Sequence, residues 1–128
     1  MVLVFGGAYQ GKLEYVIQNY KIREIEIFYC DNCKEIDFSR KVIYGLEKLI
    51  LNILKDLKDE ADPIEYISKN LDKMMDKIII CTDISCGIVP TDPLLRQWRE
   101  AVGRCMALLS QRAERVIRVF CGIGTVLK

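Results

Sequence analysis

The opening segment MVLVFGGAYQGKLEYVIQNY constrains the fold most strongly, because it predicts a strand, a glycine-rich turn and a helix in direct succession. The apolar residues 2–5 predict a strand that ends at Gly6 and Gly7. An amphipathic segment then begins at Gly11 and Lys12. Gly6, Gly11 and Lys12 have the spacing of a phosphate-binding loop, in which backbone N–H groups and a helix N-terminus surround an anion.

This loop is a candidate nucleotide site, and it departs from the motif at one position. Lys12 would reach the outer phosphates of a bound GTP or ATP, and it is the first catalytic candidate. Leu13 stands where the motif has a Ser or Thr hydroxyl for Mg²⁺, which argues against a conventional Mg²⁺ site. The alternative is an ordinary strand-to-helix connection with a solvated lysine. The predicted nucleotide contacts in the loop are Gly6, Gly7, Ala8, Tyr9, Gln10, Gly11, Lys12 and Leu13.

Length and charge limit the classes of protein to which the chain can belong. A chain of 128 residues that is 51% hydrophobic and 29% charged is expected to form one globular domain, residues 1–128. The net charge of +1 gives no electrostatic argument for nucleic acid as a partner. The sequence has neither an apolar run long enough to span a membrane nor a signal-peptide pattern, so we expect a cytoplasmic protein.

The chain contains six cysteines and no histidine. The absence of histidine excludes a His-based acid–base pair, a Ser-His triad and a phosphorylated or nucleotidylated histidine. In a cytoplasmic protein we expect the cysteines to be mostly reduced thiols. An alternative reading is a zinc-binding interaction module, in which Cys30, Cys33, Cys81 and Cys86 converge at the strand ends.

The remaining chain alternates between predicted strands and predicted helices. Strands are expected at residues 24–30, 77–81 and 115–121, with a short edge strand at residues 125–128. Ser39 is predicted to cap a long helix whose apolar positions run from Val42 to Leu57 and which ends near residues 59–60. Further helices are expected after the Asp62–Pro63 and Asp92–Pro93 caps. This order predicts an α/β domain like the P-loop NTPases, with a mainly parallel sheet and helices on both faces.

Ligands of such sheets lie beyond the carboxyl ends of the strands, which predicts one site from three loops, residues 6–12, 31–33 and 82–87. Asp31 directly follows a predicted strand, so it is the candidate Walker-B-type carboxylate, both catalytic and metal-binding. Asp83 could assist it, and Arg96 and Arg99 could meet an anion. The alternatives are ordinary loop aspartates and a solvated arginine face.

The second half of the chain resembles a known family. The segments DISCGIVP (residues 83–90), LLRQWREAVGR (94–104), ERV (114–116) and CGIGTVLK (121–128) closely resemble the adenosylcobinamide kinase/adenosylcobinamide-phosphate guanylyltransferases of cobalamin biosynthesis. Those enzymes carry an N/T-E-V-G-x-G-I-V-P loop, an R-x-[FY]-R-D-x-x-G helix and a G-x-x-x-x-[LI]-K ending. Their phosphate loop, G-G-A-R-S-G-K-S, is similar to residues 6–13, GGAYQGKL.

The resemblance implies a P-loop fold, a purine nucleotide and a corrinoid as ligands, and a homotrimer. It adds Asp83, Gly87, Arg96 and Arg99 to the nucleotide contacts. The family's guanylyl acceptor is a histidine, so guanylyl transfer by that route is impossible here, and phosphoryl transfer to adenosylcobinamide is the most that is expected. The alternative function is a non-catalytic nucleotide or corrinoid sensor, or an assembly partner that retains only the scaffold.

Overall fold

The computed structural model describes residues 1–56, 62–85 and 90–128. Its centre is a six-stranded sheet in the order β2-β3-β4-β1-β5-β6, in which only the β5–β6 pair is antiparallel. The strands are β1 (Val2–Gly6), β2 (Ile27–Tyr29), β3 (Val42–Tyr44), β4 (Ile78–Thr82), β5 (Arg115–Phe120) and β6 (Ile123–Val126). The predicted mainly parallel α/β sheet is therefore confirmed.

Helices cover both faces of this sheet, as predicted. They are α1 (Lys12–Tyr20), α2 (Leu46–Lys55), α3 (Pro63–Lys69), α4 (Leu71–Met74) and α5 (Pro93–Arg112). Val16 of α1 packs on one face with Val4, Ile80 and Ile117. On the other face, α2 to α5 enclose the larger cluster, whose fully buried members are Leu3, Cys30, Ile43, Leu46, Leu49, Ile50, Ile67, Met74, Ile79, Cys81, Cys105 and Leu109. The architecture is that of a P-loop-like α/β fold.

The predicted long helix after Ser39 is wrong in its first part. Val42–Tyr44 forms strand β3 beside β4, and Gly45, with φ 86°, separates it from α2. The apolar residues of β3 and α2 together keep a helical spacing. The periodicity of the sequence therefore concealed the boundary between the strand and the helix. Ser39 caps no helix, because its N–H and hydroxyl both donate to the Asp37 carboxylate, at 3.0 and 2.6 Å. The predicted end of the helix near residues 59–60 lies outside the described residues.

Other element predictions hold with changed boundaries. The strand expected at residues 24–30 is divided into a short 3-10 helix, Glu24–Glu26, and the three residues of β2. Asp62 and Asp92 cap α3 and α5 as predicted, since each side chain accepts a hydrogen bond from a backbone N–H of the first turn. The last strand begins at Ile123, earlier than expected, because it pairs with β5 across a two-residue turn.

Candidate functional site

The connection between β1 and α1 is a short loop of residues 7–11. Gly6 is required where the loop leaves the sheet, because a Cβ atom there would lie 2.3 Å from the carbonyl oxygen of Val119. Tyr9 and Gly11 then adopt left-handed conformations, with φ of 60° and 85°. Tyr9 points into solvent. The local sequence thus folds as predicted, with one non-glycine residue in a conformation that side chains disfavour.

Hydrogen bonds hold both ends of this loop. The backbone N–H of Asp83 donates to the carbonyl oxygen of Gly6 at 2.8 Å, which fixes the loop to the end of β4. The Lys12 ammonium donates to the carbonyl oxygen of Gly7 at 2.8 Å. Farther along, Gln10 contacts the turn between β5 and β6. The loop is therefore attached to both strands that flank β1.

The N–H groups of the loop remain available for a ligand. Among the hydrogen bonds of the described residues, none is donated by the backbone N–H groups of Ala8, Tyr9, Gln10 or Gly11. Gln10 and Gly11 are half-buried and Ala8 and Tyr9 are exposed, so these N–H groups can donate to water or to an arriving anion. The amino-terminal end of α1 adds its partial positive charge at the same place.

Beside the loop lies a cleft of about 460 Å³ that is open to solvent. Its wall on one side is the phosphate loop from Ala8 to Glu14, and its other lining residues are Tyr44, Glu47, Lys48, Leu51, Thr82, Ile84 and Trp98. Trp98 is fixed there because its indole N–H donates to the carbonyl oxygen of Glu47 at 2.7 Å. The cleft therefore combines two ammonium groups, two carboxylates and the aromatic rings of Tyr44 and Trp98.

Lys12 is the buried cation of this site, with 5% of its surface exposed. Burial lowers the pKa of the Lys12 ammonium below its ordinary 10.5, and the nearby carboxylates of Glu47 and Glu14 partly oppose this shift. A buried ammonium whose donors face a cleft gains much from an arriving anion, because the anion replaces the lost hydration. The position of Lys12 thus suits it to bind phosphate.

Glu47 is the site residue that sequence reasoning missed. Its side chain, 7% exposed, accepts a hydrogen bond from the backbone N–H of Thr82 at 2.9 Å. It lies in the first turn of α2, which places it at the carboxyl end of β3 and next to the end of β4. The available signal was the strand–glycine–helix pattern at residues 42–46, which repeats the pattern of β1, Gly11 and α1.

Asp31 lies away from the phosphate loop. It follows β2, the edge strand, so β3 and β4 separate it from β1. Asp31 does not line the cleft, and its carboxylate pairs with Lys48 at 2.9 Å, with both side chains about half exposed. Residues 24–30 are therefore not the strand beside the loop. The catalytic and metal-binding roles of Asp31 stay predictions, and its visible contact with the site is through Lys48.

The other predicted anion contacts are distributed between two places. The Asp83 carboxylate, directly after β4, accepts hydrogen bonds from the N–H and hydroxyl of Ser85, at 2.9 and 2.5 Å. Arg96 and Arg99 line a separate groove of about 520 Å³ along α5, where Arg99 donates to the carbonyl oxygen of Ser85. Gly87 lies outside the described residues. The structure thus brings Asp83 near the loop and places the two arginines on a neighbouring surface.

The cysteines of the described residues do not assemble a metal centre. No group of three or more Cys, Asp or Glu residues in the described ranges, which leave out Cys86, could hold a metal ion. Cys30, Cys33 and Cys81 are free thiols, and burial raises the pKa of each. The zinc alternative therefore gains no support from these positions.

Within residues 1–56, 62–85 and 90–128, the helices lack the combination of length and hydropathy that a membrane span requires. Comparison with curated proteins gave no match. The model of the cobinamide kinase / cobinamide phosphate guanyltransferase family matches residues 40–127. This range begins just before β3 and includes α2, the aromatic side of the cleft and the hairpin β5–β6, but not the phosphate loop. The chain belongs to the cobinamide kinase / cobinamide phosphate guanyltransferase family.

Proposed function

We propose that the chain binds a purine nucleotide, GTP or ATP, through its phosphates at residues 6–13. The observation that carries this proposal is the set of unpaired loop N–H groups beside the buried ammonium of Lys12. Both features favour a polyanion: the N–H groups donate along the phosphate chain, and the ammonium neutralises its charge. Trp98 and Tyr44, in the same cleft, offer planar surfaces to the purine ring.

Family membership implies a role in cobalamin biosynthesis. Within that role we propose that any transferase activity is phosphoryl transfer from the nucleotide to adenosylcobinamide. Lys12 would stabilise the charge on the transferred phosphoryl group, and the loop would hold that group in place. Guanylyl transfer through a histidine is excluded for these 128 residues, because none of them is histidine.

The described residues do not fit a conventional Mg²⁺ site. Leu13 offers no oxygen at the position of the motif hydroxyl. The described ranges also contain no group of three or more His, Cys, Asp or Glu residues that could hold a metal ion. Glu47, the nearest buried carboxylate, already accepts a hydrogen bond from Thr82. We therefore assign no step to a metal ion and expect nucleotide binding that depends weakly on Mg²⁺.

The second candidate is a non-catalytic sensor or assembly partner. Two observations favour it, namely Leu13 in place of the hydroxyl residue and the carboxylates of Glu14 and Glu47 beside the phosphate position. Like charges repel a triphosphate, so these acids lower affinity and slow turnover. Saturable phosphorylation of adenosylcobinamide would support the kinase, whereas nucleotide binding without turnover would support the sensor.

The deciding experiment is titration of the purified protein with GTP and ATP by calorimetry, with and without Mg²⁺. The only tryptophan, Trp98, lines the cleft, so its fluorescence gives an independent measure of binding. We expect affinity of about micromolar order and its loss in Lys12→Ala. Absence of binding by the unmodified protein at about millimolar nucleotide, or equal affinity in Lys12→Ala, would overturn the proposal.

We also propose a homo-oligomer, a trimer as the resemblance implies. Phe120, Ile123, Val126 and Leu127, all around the β5–β6 hairpin, are large exposed apolar residues and would suit such a contact. Analytical ultracentrifugation of the purified protein measures the state directly, and a monomer at about 100 μM would refute this part of the proposal.

A further inference from the structure

The turn between β5 and β6 leaves the N–H groups of its two central residues without a partner inside the hairpin. Phe120 pairs with Ile123, and the two residues between them, Cys121 and Gly122, both have left-handed φ, 50° and 76°. Two successive residues of positive φ define the tight hairpin turn whose twist matches that of the flanking strands. In such a turn the N–H groups of the two central residues have no partner in the strand ladder, so water or an acceptor outside the hairpin satisfies them.

Gln10 of the phosphate loop supplies both acceptors. Its side-chain Oε1 accepts the N–H of Cys121 at 2.7 Å, and its backbone carbonyl oxygen accepts the N–H of Gly122 at 2.8 Å. The backbones also touch at the next residue, because a Cβ atom on Gly11 would lie 3.3 Å from the Cα of Gly122. One residue of the loop thus joins it to a turn 111 positions away in the chain.

These contacts act on the shape of the loop and not on a bound anion. Both Gln10 oxygens are occupied by the turn. The loop lacks the hydroxyl at Leu13 through which a bound cation would otherwise help to order it. Left-handed Tyr9 lies directly before Gln10 and is disfavoured in isolation, so an external contact must hold this conformation.

We infer that Gln10 is a positioning residue, which docks the phosphate loop on the Cys121–Gly122 turn and so fixes its anion-binding shape without a metal ion. This inference rests on the proposed function for its consequence, nucleotide affinity. Its structural core, the docking itself, is independent of any ligand. The role differs from that of Lys12, which would contact the phosphates.

The test compares Gln10→Met, which keeps the length of the side chain but removes the acceptor, with Gln10→Glu, which keeps an acceptor oxygen. Amide hydrogen exchange of the ligand-free protein reports the docking. We expect the Cys121 amide to exchange about tenfold faster in Gln10→Met and to stay protected in Gln10→Glu. Gln18→Met, the same change on the exposed side of α1, is the matched control and leaves this amide unchanged.

Binding of GTP, and of inorganic tripolyphosphate as a probe of the loop alone, gives the second measurement. We expect Gln10→Met to bind both about tenfold more weakly while its unfolding midpoint stays near that of the Gln18→Met control. Unchanged exchange at Cys121 in Gln10→Met overturns the inference whether or not nucleotide binds. Faster exchange with unchanged affinity also overturns it, since the loop would then not need the docking. Failure of the unmodified protein to bind either ligand refutes the proposed function, and hydrogen exchange still decides the docking.

Discussion

Replacing Lys12 by methionine should separate binding from stability, because the structure predicts opposite effects on the two. The side chain of Lys12 is buried and its ammonium donates to the carbonyl oxygen of Gly7. Methionine keeps an unbranched chain of similar length for the apolar surroundings but removes the charge and the donors. The variant therefore tests whether this cation is held for a ligand and not for the fold.

The expected changes differ between the nucleotide-bound protein and the ligand-free protein. An ammonium that makes two hydrogen bonds to phosphate contributes about 4 kcal/mol, so Lys12→Met should weaken nucleotide binding about a thousandfold. In the free protein, loss of the charged hydrogen bond to Gly7 costs about 2 kcal/mol. Burial lowers the pKa of Lys12, which means that its surroundings as a whole disfavour the charged form. We therefore expect the free energy of unfolding of the ligand-free variant to rise.

Urea unfolding followed by circular dichroism measures the stability, and calorimetry measures the affinity. Lys48→Met is the control, since Lys48 lines the same cleft but is exposed and paired with Asp31. The hydrogen bond to Asp31 raises the pKa of Lys48, so removing this charge should lower stability slightly. The same substitution at two lysines of one cleft thus predicts changes of opposite sign.

The pH dependence gives a second check on the same reasoning. Because the folded-state pKa of Lys12 is lowered, its penalty is fully present below that pKa and is relieved as the pH rises toward the ordinary value of 10.5. The stability difference between Lys12→Met and the unmodified protein should therefore narrow in alkaline solution. A Lys12→Met protein that unfolds at lower urea than the unmodified one at neutral pH would refute the argument.

Leu13→Ser restores the motif hydroxyl and should strengthen nucleotide binding in the presence of Mg²⁺, measured by calorimetry with and without the metal; no change would mean that the loop no longer admits a cation. Gly6→Ala should lower the free energy of unfolding by about 3 kcal/mol, because the added Cβ meets the Val119 carbonyl oxygen, whereas Gly103→Ala, with nothing within 4 Å, should raise it by up to about 1 kcal/mol. Urea titrations that give both variants the same sign would contradict this. Burial raises the pKa of Cys105 to about 12 from 9.0, so between neutral pH and about pH 10 the unmodified protein should lose about 1 kcal/mol through this thiol as the unfolded chain ionises. Cys105→Ala, less stable by about 1 kcal/mol at neutral pH, should lack this loss, and parallel pH profiles would argue against it.

The parts of the fold that sequence reasoning found are those with a local signal. Strand β1, the loop and α1 follow from an apolar run, two glycines and a lysine in fixed order. Helices α3 and α5 follow from Asp–Pro pairs, because proline suits the first turn and aspartate caps it. Each of these signals lies within a few residues of the element that it predicts.

Strand β3 was missed because strand pairing and helix packing together produced one continuous apolar pattern in the sequence. Val42 and Ile43 are buried by neighbouring strands, whereas Leu46 and Leu49 are buried by the packing of a helix. Their spacing nevertheless fits one continuous helix, and only Gly45 with its positive φ marks the change. Pairing with β4 decides the outcome, and that pairing joins residues far apart in the chain.

The candidate site was likewise predictable only where a local sequence signal marks its residues. The loop positions follow from glycine spacing, but the opposite wall of the cleft depends on sheet order. With β3 taken as helix, Asp31 was predicted to follow a strand close to the loop, and Glu47 fell inside the long predicted helix. The actual order places β2 at the edge and Glu47 against Thr82. A single misassigned strand thus placed the expected carboxylate at the end of β2 instead of at the end of its neighbour, β3.

The position of β1 in the sheet also determines when the site can form during synthesis. Its two neighbours, β4 and β5, both come from the later part of the chain, and Gln10 waits for a turn 111 residues downstream. When only the amino-terminal segment has been synthesised, the strands and the turn that contact the loop therefore do not yet exist. Because nonlocal contacts form slowly, we expect the amino-terminal segment to be synthesised first and to become ordered among the last.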